Sequence, residues 1–163
     1  MSKSYLNQSN LPRGIRNNNP GNIRFSNSNA WVGKIPFSQN KDYSVATTNV
    51  VREFEQFVDI SHGLRAKMIL LNNYIKKGEN TIEKIIHRFA PPFENNTAAY
   101  IATVVRMTGI AAHFPIVLTE TTLINLCKAI LLVENGNSFS SYVSESEYLT
   151  AVKISGLNLK KKV

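Results

Sequence analysis

Residues 119–136, TETTLINLCKAILLVENG, are the most apolar long stretch of the chain and constrain its fold more than any other. Leu123, Leu126, Ile130 and Val133 recur at helical spacing, and Leu131 and Leu132 widen the stripe until most of the circumference is apolar. A helix of that kind needs neighbours on nearly every side, so the pattern predicts a central buried helix. Thr119 is placed to cap its start, and Asn135-Gly136 are the residue types that end a helix in a left-handed turn. The last side chain before that turn is a carboxylate, Glu134. Partial negative charge at the helix end and burial both favour its neutral form. A neutral carboxylic acid on a rigid helix end is the general acid that glycosidases use. The alternative is a helix-terminal glutamate pointing into solvent, where most such residues lie.

At 163 residues the chain suits one domain with a substantial core. Hydrophobic residues at 43% and charged residues at 18% describe a globular protein. The longest apolar run, residues 129–133, is too short to span a bilayer, and the polar first residues do not read as a secretory signal. Cys127 is the only cysteine, which excludes an internal disulfide and a cysteine-based zinc site; among apolar neighbours it reads as a core residue. The net charge of +8 and pI near 9.7 favour polyanionic partners such as nucleic acid, anionic lipid or bacterial wall polymers.

In chain order, residues 1–12 read as a flexible leader, 13–155 as one domain and 156–163 as a disordered basic tail. The segment RGIRNNNPGNIR, residues 13–24, is turn chemistry, with proline fixing φ at position 20 and Gly21 expected at positive φ. Its asparagines either satisfy loop backbone or hydrogen-bond sugar hydroxyls and N-acetyl groups. Residues 23–25, 30–32, 43–45 and 54–58 read as short strands of a small antiparallel region, with Glu53 and Glu55 on its polar face. Trp31 is a core anchor or a sugar-stacking platform. From residue 61 the pattern is helical. Ser61 is expected to cap a helix carrying Leu64, Met68, Leu71 and Ile75, and Thr81 a second one. Asn96 or Asn95 caps a third ending at Gly109, and Ser144 with Glu147 forms a capping box for the last. The fold class expected is α+β, mainly α.

The three histidines show no metal-ligand spacing, and no nucleotide or dinucleotide fingerprint occurs, so no metal or cofactor is expected. The carboxylates remain as candidates. Glu94 precedes a helix start, which favours its ionised form and suits a fixed anion better than a proton donor.

Five segments carry a resemblance. RGIRNNNPGNIR, Trp31-Val32-Gly33, FEQFVDISHGLRAKMILLNNY, FAPPFENNTAAYIATVV and AILLVENG resemble, over about residues 12–140, a family of phage-encoded virion and prophage proteins that degrade peptidoglycan or build the particle. The resemblance implies a lysozyme-like helical fold. Two departures stand out. The family's HENG is Val133-Glu134-Asn135-Gly136 here, and its ENDT is Glu94-Asn95-Asn96-Thr97. The chain is also similar to autolysin glucosaminidases and lytic transglycosylases, but with the motif order rotated. The helix-plus-Glu element comes last, which implies a circularly permuted active site and selects Glu134 as the acid. On this reading Glu134 and Glu94 are catalytic, with Asp59 behind Glu94. Asn19, Asn22, Arg24, Tyr100 and Trp31 bind substrate. The implied partners are peptidoglycan glycan strands and other virion proteins. The implied location is the virion or the producing cell's cytoplasm, with action on the cell wall. The competing expectations are a catalytically inert virion component on the same fold and a nucleic-acid-binding module. The second is the weaker, since no basic recognition helix is evident.

Overall fold

The computed structural model describes residues 2–42, 53–91 and 96–160. Among the described residues six α-helices carry the fold: α1 (Arg13–Arg16), α2 (Ile60–Lys76), α3 (Ile82–Phe89), α4 (Thr97–Thr108), α5 (Glu120–Asn135) and α6 (Glu145–Ser155). Short 3-10 turns cover Phe37–Gln39 and Asn137–Tyr142. The molecule is mainly helical, as expected. Helix α5 is its centre. It packs against α1, α2, α4 and α6, and Leu123, Leu126, Ala129 and Ile130 are almost fully buried along it. Helix α2 supplies the facing layer through Leu64, Met68 and Leu71, and α3 adds Ile82, Ile85 and Ile86.

The helix starts follow local capping chemistry. Thr81, Asn96, Thr119 and Ser144 each accept a hydrogen bond from the backbone N–H three residues on, and Ser144 with Glu147 forms the full capping box. The start of α2 differs from expectation: Asp59, not Ser61, is the cap, accepting from His62 N at 3.0 Å. Ser61 lies inside the helix, buried, with its hydroxyl turned to Ser2. Helix α5 ends at Asn135, with Gly136 at φ +97° and an extended ψ instead of a left-handed helical turn.

The expected β region is reduced, among the described residues, to isolated bridges: Arg24 with Phe54, Lys34 with Phe57, and Thr119 with Lys160. The 43–45 candidate lies outside the described residues. Residues 53–58 do not alternate, because Phe54, Glu55, Gln56 and Phe57 are all buried. Glu55 is not on a polar face. It is fully enclosed, with Lys34 Nζ at 3.0 Å, and burial outweighs that partner and raises its pKa.

The asparagine triplet explains this core of polar groups. Asn17, Asn18 and Asn19 are completely buried. Asn17 donates to Asp42 and accepts from Gln56. Asn18 donates to Phe57 O and accepts from Tyr5 N, and Asn19 donates to Ile23 O and Glu55 O. Three side-chain amides thus take the place of a sheet ladder, satisfying backbone groups of irregular chain. The positive φ angles of this loop fall on Asn18 (+52°) and Asn22 (+48°), not on Gly21. Asparagine tolerates that region better than most residues.

Both ends of the chain are tied down. Residues 2–12 are no free leader. Lys3 N donates to Glu147, Ile60 N donates to Lys3 O, Tyr5 OH donates to Tyr142 O, and Leu11 is buried. Of the 156–163 tail expected to be disordered, the described part packs Leu157 and Leu159 on the core, and Lys160 N donates to Leu118 O; residues 161–163 lie outside the described residues. No helix among the described residues is long and apolar enough to cross a membrane.

Candidate functional site around Glu134

Three segments meet at the C-terminal end of α5. Asn135 anchors that end, donating to Leu131 O of its own helix and to Pro20 O at 2.9 Å. Gly14 of α1 lies so close to the Asn135 side chain that a Cβ there would overlap it. The early loop is thereby pressed onto the helix end. One residue earlier, half-buried Glu134 accepts a hydrogen bond from Asn22 Nδ2 at 3.0 Å on Oε1.

Glu134 opens into a cleft of about 370 Å³ lined also by Asn96, Ala99, Tyr100 and Thr103 of the α4 region and by Val133. Tyr100 is 3% exposed. Its hydroxyl has no hydrogen bond of good geometry among the described residues. Burial first, and then the adjacent Glu134 carboxylate, push the phenol well above its usual range, so it stays protonated as a donor. Asn22 Oδ1 is likewise buried with no partner among the described residues. A buried amide and a buried phenol therefore flank the carboxylate, the phenol directed at Glu134.

Of the residues expected to bind substrate, Asn22 and Tyr100 come together with Glu134. Asn19 does not belong to the site, since its amide is enclosed and occupied by backbone. Arg24 is exposed, its guanidinium 5.1 Å above the Phe54 ring, and is not among the cleft residues. Trp31 packs beside Ile23, Phe57 and Ala66 in a small satellite cluster, also away from the cleft lining. Glu94 lies outside the described residues. Asp59 is engaged as the α2 cap and in a 2.8 Å pair with His62. Among the described residues, no group of three His, Cys, Asp or Glu side chains is arranged to hold a metal ion.

Lys67 was not singled out by sequence. It is 2% exposed, on the inner face of α2. Its Nζ sits 3.8 Å from the Phe89 ring centroid, and Phe89 packs edge-on to Tyr100 with centroids 5.9 Å apart. A Cβ on Gly21 would lie 2.8 Å from Lys67 Cδ, so the loop carrying Asn22 rests on the lysine stem. Burial pulls the ammonium down to about 8, with Glu134 acting in the opposite sense. The signal was present in the sequence: Lys67 lies three residues after Leu64 and four before Leu71, on the apolar stripe.

Comparison with known proteins adds the chain's relationship. It is similar to Protein P5 of Pseudoalteromonas phage PM2, 34% identical over 133 residues that span 80% of this chain and 75% of that protein. The chain belongs to the family of Protein P5. No family model matches the sequence. P5 is a bacteriophage protein, and its name specifies no activity.

Proposed function

We propose that this chain cleaves the glycan strands of peptidoglycan, on a lysozyme-like fold of permuted motif order, with Glu134 as general acid and then base. The observation that carries this reading is the Glu134 carboxyl at a cleft, fixed by Asn22 at 3.0 Å and flanked by Tyr100. Protonated Glu134 gives its proton to the glycosidic oxygen as the bond from C1 to that oxygen breaks. The resulting carboxylate takes the proton of the same sugar's hydroxymethyl group while that oxygen closes on C1. The products are an anhydro sugar end and a restored acid. One carboxylate suffices for this ring closure, and Glu134 is the only carboxylate among the described residues lining the cleft. A hydrolytic version needs a second, for which Glu94 remains the candidate. The net charge of +8 suits an anionic wall.

A second reading, an inert particle component on the same fold, is favoured by Val133. This apolar side chain lines the cleft where the resembled family carries histidine. Mass spectrometry of purified sacculi incubated with the chain separates the two. Anhydro-ended muropeptides from wild type and none from Glu134→Gln support the enzyme. No product from a folded wild type supports the particle component. Product from Glu134→Gln at the wild-type rate removes Glu134 from the chemistry.

A further inference from the structure

The strongest unassigned group in the molecule is the buried cation on α2. Lys67 does not line the cleft, so it does not touch a ligand there. It nevertheless supports two neighbours of the cleft wall, Gly21 and Phe89. Its stem supports Gly21, next to the Asn22 amide that holds Glu134. Its ammonium lies on Phe89, which packs against Tyr100. An enclosed ammonium is costly unless something nearby requires its charge. The ionisable groups facing it are Glu134 and Cys127, both from α5; α3 presents uncharged Phe89 and the loop presents Gly21. Burial pushes the Cys127 thiol up to about 12, so it is neutral and offers Lys67 no charge. Glu134 is the remaining counter-charge.

We infer that Lys67 is a positioning residue for Glu134: its stem lies under the loop whose Asn22 amide holds the carboxyl, and its ammonium lies on the Phe89 ring that packs against Tyr100. This rests on the reading of Glu134 as the acid of the proposed reaction. In that reaction the carboxylate formed by proton donation appears in the field of a fixed, buried cation that has no need to reorganise. Loss of the Lys67 proton removes that help, so the reaction weakens as pH rises through about 8. An arginine at this position keeps its charge throughout that range.

Two measurements on the full chain test this separately. Nitrogen NMR of labelled lysine follows the Lys67 amine directly, with no substrate. The expected titration lies near 8 and moves lower in Glu134→Gln, because the coupling is reciprocal. A titration in the ordinary lysine range, or one that Glu134→Gln leaves unmoved, overturns the inference whatever the chain's activity. Muropeptide release against pH is the second. Lys67→Met is expected to lower kcat about tenfold with KM little changed, and Lys67→Arg to retain activity above pH 8 where wild type declines. A change confined to KM, or an alkaline decline that persists in Lys67→Arg, overturns it. If Lys67→Met fails to fold, Lys67→Arg and the amine titration decide. If wild type releases nothing, the glycosidase reading fails and the amine titration alone judges the Lys67–Glu134 pairing.

Discussion

Single residues here do work that their types alone do not announce. Asn22 both adopts φ +48° and donates to Glu134. Glycine accepts that backbone freely, so Asn22→Gly isolates the lost amide from backbone strain. We expect Asn22→Gly to leave the fold intact and to reduce muropeptide release about tenfold, the equivalent of one hydrogen bond of ~1.4 kcal/mol. A calorimetric melt and a product assay on the same sample check both halves. Gly63 makes a contrasting case. A Cβ there would collide with the Asn18 carbonyl oxygen, which belongs to backbone and cannot swing aside. Gly63→Ala is expected to cost roughly 3 kcal/mol in urea unfolding, at the upper end of overpacking effects. Neither role was legible in the sequence. The need for glycine at position 63 comes from a loop 45 positions earlier in the chain, and no local pattern encodes such a contact. Lys67 was legible as an anomaly on an apolar stripe, but its partners Gly21, Phe89 and Glu134 come from three other segments.

At the level of elements, the helix starts were readable and the irregular segments were not. A cap is a bond between positions three apart, so Thr81, Asn96, Thr119 and Ser144 declare themselves locally. Ser61 misled because Asp59, two residues earlier, starts the helix by accepting from His62 N and leaves Ser61 inside it. The 53–58 segment reads as a strand by composition, yet Glu55 is buried through Lys34, and the asparagine amides replace the ladder. Those substitutes are long-range, hence invisible to periodicity. Glu147 shows one side chain joining elements. It completes the α6 capping box and also accepts from Lys3 N at 2.7 Å. Burial acts to raise its pKa, but the hydrogen bonds from Ser144, Lys3 and Ser2 outweigh it and leave the pKa lowered. A depressed carboxylate contributes its stability above the unfolded-state value and loses it as pH falls through the folded one. Glu147→Gln should therefore cost about 2 kcal/mol at pH 6, and the difference from wild type should vanish below the usual glutamate range. Urea midpoints at pH 6 and pH 3 check this.

For the whole molecule, the mainly helical class and the central place of α5 followed from hydrophobic pattern, whereas the closure of both chain ends onto the core did not. Residues 2–12 are polar enough to look free, but their bonds go to Asn18, Ile60, Tyr142 and Glu147. A chain starting at Arg13 loses these bonds together with buried Leu11. We expect it to melt about 10 °C lower, on the scale of a few kcal/mol for a domain of this size. Circular dichroism melts decide. Global stability should also carry the mark of Lys67. Its folded pKa near 8 lies below the ordinary 10.5, so between those values the unfolded state binds more protons and stability rises with pH. Cys127 acts oppositely from about pH 9, because its folded thiol stays protonated when the unfolded one does not. The difference between wild type and Lys67→Met removes that second contribution. We expect wild type to gain on the variant between pH 7.5 and 9.5, read from urea midpoints at roughly those two pH values.

The bond between Asn22 and Glu134 spans 112 positions of sequence. On a ribosome, then, the loop emerges long before the helix that completes the cleft. A nascent or prematurely stopped polypeptide that lacks Glu134 holds half a cleft without its carboxyl. On the proposed glycosidase reading, unfinished copies cut no wall, and the timing of that activity passes to the completion of synthesis.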